Sequence, residues 1–307
     1  NADTLDNLRA HVLRYLPGGH KALTSGQLTA WLKSKEKTLQ HEAVWKMRHL
    51  TDEATVKTMR GIALDENRDL PLRLAAVAAM GLSESPDAGA LMKIATGNNA
   101  SLRDESLRSL IGANLEANDN QRLTELAAQH TSAAPAIKRM LGQQFAAGRP
   151  APTDAAAWLK RFDALPGKAD AAAGERIFFN QKIALCSRCH QVGERGTRVG
   201  PDLTVIGRRN NPQRLLESIL QPSKEVAPYM RPWTITMNDD SVHTGIALRR
   251  GGNAEVYLGL DGKEIRIDKR QIKSKNEGRI SLMPEGLALS LTDRELRDLL
   301  AFLMAQR

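Results

Sequence analysis

The chain has two cysteines, Cys186 and Cys189, and both lie in one short run, LCSRCH, with His190 directly behind the second. This spacing constrains its part of the chain more than any other feature, because two thiols one helical turn apart beside an imidazole suit few chemistries. A zinc site, a redox dithiol and the attachment point of a c-type haem are the three to weigh. A closed zinc site takes four ligands. No third cysteine exists, and His11, His20, His41, His49, His130 and His243 include no pair with three to five residues between its members. A redox dithiol belongs near a βαβ pattern, which is not visible, and it leaves His190 without a role. The haem reading uses all three residues: Cys186 and Cys189 as thioether anchors for one covalent haem c, and His190 as the proximal iron ligand.

The 307 residues suggest two domains, or three, each with its own core. Aromatic residues make up only 4%, while Ala and Leu are abundant, which favours helices. No apolar run is as long as a membrane span, and Asn1 does not begin a signal peptide. The chain is therefore expected to be soluble as given and not membrane-spanning, either as a processed form or as a piece of something longer. The net charge of +9 divides as 19 basic against 16 acidic residues in 1–150, and 25 against 19 in 151–307. Such a surface would steer an acidic partner, although an ordinary solvated surface accounts for it equally well. There is no concentrated basic run with interleaved aromatics, so nucleic acid is not an expected partner.

Residues 1–148 read as helix after helix. HEAVWKM, RLAAVAAM and RDESLRSL place the apolar pairs Val44/Met47, Val77/Met80 and Leu107/Leu110 at steps of 33 and then 30 residues. Each pair has the i, i+3 spacing of one helical face. Second helices lie between them, DEATVKTMRGIAL (52–64) and DAGALMKIAT (87–96), with breaks at DENRDLP and SESP. Paired helices at this period are the pattern of a HEAT-like solenoid, with a non-repetitive bundle as the alternative. Neither reading supplies chemistry.

AAGRPAPTD (146–154) marks a boundary, with Thr153 or Asp154 as the cap of a short helix in a linker over 149–169. Asp170 is placed to cap the next helix. After the cysteine run come a Gly-rich loop and the helix PQRLLESIL (212–220). Near 231 the period changes to two. RPWTITM, SVHTGIALR, AEVYLGL and EIRID read as short strands between turn signals, forming a small β-insert over about 231–280. Thr292 and Glu295 then form a capping box before an amphipathic last helix.

Within 170–307, GERIFF, CSRCH, VGPDLTVIGRR, LLESILQPSKEV, SLMPEGL and LTDRELRDLLAFL occur in that order. This series resembles the class I-like cytochrome c (haem-binding) domain of planctomycete and verrucomicrobial proteins, over about 130 residues. In that family the domain often follows HEAT-like repeats, and these often follow a sugar-dehydrogenase-like propeller, which is not present in this chain. The resemblance implies that the Pro201 carbonyl accepts a hydrogen bond from His190, and that Arg208 sits over a haem propionate. It also implies that Gly174 and Phe178 mark where the first helix crosses the last, against Leu299 and Phe302. Met283, in Met-Pro before the final helix, is the leading distal ligand. The β-insert departs from small cytochromes and keeps Met230 and His243 as rivals, while Met237 reads as core.

The expected fold is mainly α: a HEAT-like α-solenoid followed by a mono-haem cytochrome c domain carrying a small sheet. The expected function is single-electron transfer in a periplasmic or exported setting, as the electron-accepting module of a dehydrogenase whose catalytic part lies on a partner or another segment. The competing reading is a haem sensor or peroxidase-like protein with an open distal position. A scaffold with a structural haem is a third.

Overall fold

Short polar side chains set where most of the helices begin. The computed structural model describes residues 2–18, 20–83 and 86–307. Among these residues the first part of the chain forms nine α-helices: α1 (Ala2–Tyr15), α2 (Ser25–Trp31), α3 (Lys37–Met47), α4 (Glu53–Leu64), α5 (Leu70–Met80), α6 (Ala88–Ala95), α7 (Ala100–Ser109), α8 (Ala117–Gln129) and α9 (Ala134–Met140). Asp52, Asp69, Asp87 and Asn99 each accept a backbone N–H in the first turn of the helix they precede, so α4 to α7 start where the sequence supplies a carboxylate or amide. Pro71 sits in the first turn of α5, where its missing N–H costs no hydrogen bond. The break at SESP includes Glu84 and Ser85, which lie outside the described residues.

The odd-numbered helices pack in succession, α1 on α3, α3 on α5, α5 on α7 and α7 on α9. The even-numbered ones do the same from α2 to α4 to α6. Val44, Met47, Val77, Met80, Leu107 and Leu110 are all buried in a core running from Ala10 to Ile137. The repeat anchors of the sequence therefore belong to the helices that stack on one another. Each fully buried Leu or Met of this kind contributes about 1.5–3 kcal/mol. Small polar residues let α7 approach its neighbours: the Ser106 hydroxyl donates to the Leu91 carbonyl (2.6 Å) and the Ser109 hydroxyl to the Val77 carbonyl (2.9 Å).

Backbone contacts divide the chain into two units, Asn1–Ala147 and Gly148–Arg307. The second unit contains α10 (Ala155–Asp163), α11 (Ala171–Phe178), a two-strand hairpin of β1 (Gln191–Val192) and β2 (Arg195–Gly196), α12 (Ile206–Arg209), α13 (Pro212–Leu220) and α14 (Asp293–Ala305). Its main sheet comprises β3 (Pro232–Met237), β4 (Val242–Arg249), β5 (Ala254–Gly259), β6 (Glu264–Asp268) and β7 (Ile272–Glu277). The sheet is antiparallel in the order β6-β5-β4-β3-β7. The first four strands are the ones the alternating pattern indicates. β7 is an addition to that reading, a polar strand paired along the free edge of β3. Ile235, Met237, Tyr257 and Ile267 form the core of the sheet.

The second unit is organised around the crossing of α11 and α14. A Cβ on Gly174 would overlap the Asp298 carbonyl oxygen and stand 2.7 Å from the Phe302 Cβ, so only glycine lets the two helices approach this closely. Phe178 packs on Phe302 with ring centroids 5.6 Å apart, and Leu299 is buried beside them. The ends are also fixed. Asp170 caps α11, and the Asp298 carboxylate accepts the Asp170 N–H at 2.9 Å. The capping box of Thr292 and Glu295 is formed at the start of α14.

Residues 149–169, which read as a linker, are instead built into this second unit. Trp158 of α10 is fully buried, and α10 packs on α13 and α14. Arg149 and Arg161 both pair with Asp293, at 2.8 and 2.5 Å, and so clamp the segment to the head of α14. Burial of one large aromatic ring outweighs the loop-like composition around it.

Two glycines should respond oppositely to an added methyl group. Gly174→Ala should destabilise the second unit by about 1–3 kcal/mol through overpacking. Gly61→Ala, in α4 with nothing within 4 Å of the new Cβ, should stabilise the first unit by up to about 1 kcal/mol. Denaturant unfolding of the two variants beside the parent chain measures both effects.

Candidate functional site

The cysteine run is presented by a strained turn. After α11, the Asn180 side chain accepts the N–H groups of Lys182 (2.8 Å) and Ile183 (3.1 Å), which folds the chain back. Leu185 then adopts the left-handed conformation, φ 57°, which costs a branched residue about 1–2 kcal/mol. A 3₁₀ turn over Cys186–Arg188 follows, with the N–H groups of Cys189 and His190 both directed at the Cys186 carbonyl, at 3.1 and 2.9 Å. Residues three apart eclipse in such a turn, so the two thiols share one side.

The thiols are free and half-buried. Burial pushes the Cys186 thiol up to about 12, and burial likewise raises Cys189. Both are therefore protonated at neutral pH. A catalytic dithiol needs the opposite, an accessible thiol of lowered pKa.

His190 is held on two sides. Its Nδ1 lies 2.8 Å from the Pro201 carbonyl oxygen, which can only accept, so Nδ1 carries the hydrogen. Nε2 is then the lone-pair nitrogen, and it has no hydrogen-bond partner among the described residues. The imidazole lies against Gly200, where a Cβ would stand 2.7 Å from Cε1, and the Gly200 N–H donates to the Cys189 carbonyl at 2.6 Å. At Gly196 (φ 101°) a Cβ would overlap the His190 carbonyl oxygen. The Pro201 loop is tied to the hairpin by Leu203 N–H to the Gln191 carbonyl and Gly193 N–H to the Thr204 hydroxyl, both 2.8 Å. Burial lowers the His190 pKa, partly offset by the Pro201 acceptor, so the ring is neutral at pH 7. That is the form in which histidine binds a metal.

The other residues named from the sequence stand less close. Met283 is half-buried in the segment between β7 and the 3₁₀ turn Leu287–Ser290, and its N–H donates to the Ser281 hydroxyl at 3.1 Å. That segment is anchored at its start by Ser281 N–H to Ser223 (3.3 Å). Just past its end, the Ser290 hydroxyl donates to the Ile183 carbonyl at 2.9 Å, close before Cys186. No hydrogen bond joins Met283 itself to the Cys–His group among the described residues. Arg208 is exposed on α12, and its side chain has no partner among them either. The adjoining Gly207 packs under the end of α14, its N–H bonded to the Gln306 carbonyl at 2.9 Å. Met230 lies in the 3₁₀ turn Pro228–Met230, His243 faces Ile235 across β4 and β3, and Met237 is in the core of the sheet.

Gly196, Gly200 and the left-handed Leu185 are missing from the sequence reading, although the glycine directly before Pro201 is a legible hint. Among the described residues, no three His, Cys, Asp or Glu side chains converge to hold a metal. A metal on His190 would draw its remaining ligands from another source. Two free thiols on one side of a turn, followed by a neutral imidazole with Nε2 open, fit the donor set of a thioether-linked haem.

Raised thiol pKa values make a direct forecast for the chain with free cysteines. Between pKa 9.0 and about 12 the thiolate fraction falls about a thousandfold. Cys186 should therefore be alkylated by iodoacetamide about a thousandfold more slowly in the folded chain than in urea, as read by peptide mass mapping. Fast labelling with a titration midpoint below 8 would return the redox dithiol to first place.

Comparison of the chain with protein-family models finds no match. Comparison with curated proteins finds no significant relative either.

Proposed function

We propose that this chain is a c-type cytochrome. In this reading one haem c is attached through Cys186 and Cys189, with His190 as its proximal ligand, Met283 as its distal ligand and Arg208 over a propionate. The observation that carries the reading is the fixed imidazole: Nδ1 committed to Pro201, Nε2 open, and two free thiols on the turn just before it. When bound, the iron of such a group exchanges one electron between its ferric and ferrous forms. The protein's part is to hold His190 in one tautomer and one orientation, so that little rearranges on electron transfer. Met283 would supply a soft thioether, which favours ferrous iron and raises the potential.

The architecture supports the same reading. The close crossing of α11 and α14, with the Cys–His turn directly after α11 and the Met-Pro segment before α14, agrees with a class I-like cytochrome c fold carrying a β-insert. The two-layer succession of α1 to α9 agrees with a HEAT-like solenoid. Covalent haem attachment is completed outside the cytoplasmic membrane, so the protein would be periplasmic or exported. No described helix is long and apolar enough to cross a membrane. The excess of basic residues in 151–307 suits an acidic redox partner or dehydrogenase domain.

A second reading, a haem sensor or peroxidase-like site with an open distal position, draws on one observation. Among the described residues no hydrogen bond ties Met283 to the Cys–His turn; the segment that carries it is held to Ser223 through Ser281, and the turn after it to Ile183 through Ser290. Two measurements test these readings. Denatured protein should retain its haem, and Cys186→Ala with Cys189→Ala should release it; haem freely extracted from the parent by acidic organic solvent would overturn the cytochrome reading. The ferric parent should also show the weak far-red sulfur-to-iron band. Met283→Ala should abolish that band, lower the potential and open ferrous iron to carbon monoxide, while Met230→Ala and His243→Ala should leave it. A parent without the band that binds carbon monoxide readily would favour the sensor.

A further inference from the structure

We propose that the cleft at one end of the main sheet is a binding site for a carboxylate carried on a six-membered ring. It has a volume of about 210 Å³ and is walled by Tyr229, Arg231, Trp233, Arg249, Arg250 and Glu277. These residues come from the 3₁₀ turn before β3 and the residue after it, from β3, from the end of β4 and the residue after it, and from β7, and none belongs to the Cys–His site.

The cations are arranged unequally. Arg231 is paired loosely with Glu277, at 3.7 Å, and Arg249 with Glu264, at 3.3 Å. Arg250 has no carboxylate partner among the described residues. Its guanidinium lies 4.6 Å above the Trp233 ring, and Lys275 Nζ is 5.7 Å from the same ring. Lys275 is neutralised from within: it pairs with buried Glu255 at 2.6 Å, and Glu255 also accepts the Tyr257 hydroxyl at 2.5 Å. Glu255, Tyr257 and Lys275 lie outside the lining of the cleft, so the charge of Lys275 is already answered there. A guanidinium stacked on indole keeps its in-plane N–H donors free, set in a fork that matches a carboxylate. Three guanidiniums, Arg231, Arg249 and Arg250, against two carboxylates, Glu277 and Glu264, leave a surplus of one positive charge, which one carboxylate balances. A dianion would meet twice the repulsion from Glu277.

Size and shape narrow the class further. The volume equals roughly seven waters at ~30 Å³ each, room for one ring and its carboxylate. Tyr229, at the rim, is 70% exposed, and Leu248 beside it is 44% exposed. Together with Pro228 they offer flat, weakly hydrated walls to a ring face. The chemistry fits a free ring acid and equally the uronate unit of an acidic glycan.

The test is calorimetric titration of the full chain with benzoate, glucuronate and oligogalacturonate, with glucose and inorganic phosphate as controls. Saturable binding of at least one carboxylate is expected, with glucose and phosphate at least tenfold weaker. Arg250→Gln and Tyr229→Ala, both at exposed positions, should each weaken binding at least tenfold while leaving thermal unfolding unchanged. Arg250→Lys should also weaken it, because charge without the fork is not enough. Binding of oligogalacturonate alone would identify the source as a glycan, and binding of benzoate or glucuronate would identify a free acid. The proposal is overturned by absence of saturation up to about 10 mM. It is equally overturned by phosphate binding as tightly as the carboxylates, or by affinity that survives Arg250→Gln.

Discussion

The helical part of the second unit depends on a missing side chain. Gly174 allows the backbone of α11 to rest on the Asp298 carbonyl of α14, and the aromatic pair Phe178 and Phe302 closes around that contact. Once the two helices are locked, α10, α12 and α13 have a common surface to pack on, and each touches α14 or its neighbours. The clamp of Arg149 and Arg161 on Asp293 and the Gly207 bond to Gln306 fasten the two ends of α14. The Cys–His turn follows α11 through the short Asn180 turn, so its position is referred to this crossing.

The site is built with backbone more than with side chains. A carbonyl selects the tautomer of His190, hydrogen atoms on Gly196 and Gly200 make room for its carbonyl and its ring, and a left-handed Leu185 starts the turn. Backbone acceptors cannot ionise, so the Pro201 carbonyl orients the neutral ring through Nδ1 without a titration of its own. The raised thiols and the lowered imidazole share one cause, the withdrawal of this turn from water. Strain concentrated at one residue ahead of the motif agrees with the tendency of functional sites to hold unfavourable backbone conformations.

Much of this is legible in the sequence where local rules decide. Asp52, Asp87, Asp170 and Thr292 announce helix starts because capping is a matter of three or four residues. Val44, Val77 and Leu107 announce the stacked helices because their period matches a packing period. β7 is illegible for a physical reason: it is an edge strand rich in Lys, Ser and Asn, and its polar side chains face water instead of alternating. Residues 149–169 mislead because the evidence for their burial lies in Asp293 and in the α13–α14 surface, far along the chain. Gly200 is visible as a residue but not as a support for His190, since that role exists only after the loop has returned to the hairpin.

The same long-range closure has a temporal side. Hairpins β3–β4, β4–β5 and β5–β6 join neighbours in sequence and need little loop closure, whereas α11 must wait for α14, more than a hundred residues later. The Ser290 bond to Ile183 spans a similar interval. As the chain emerges from its N-terminal end, Cys186, Cys189 and His190 appear well before α14. In that interval the thiols have the ordinary acidity of cysteine in water. Burial in the finished fold raises both thiols, so the order of emergence leaves an interval in which these sulfurs are more reactive than they are once the chain is folded.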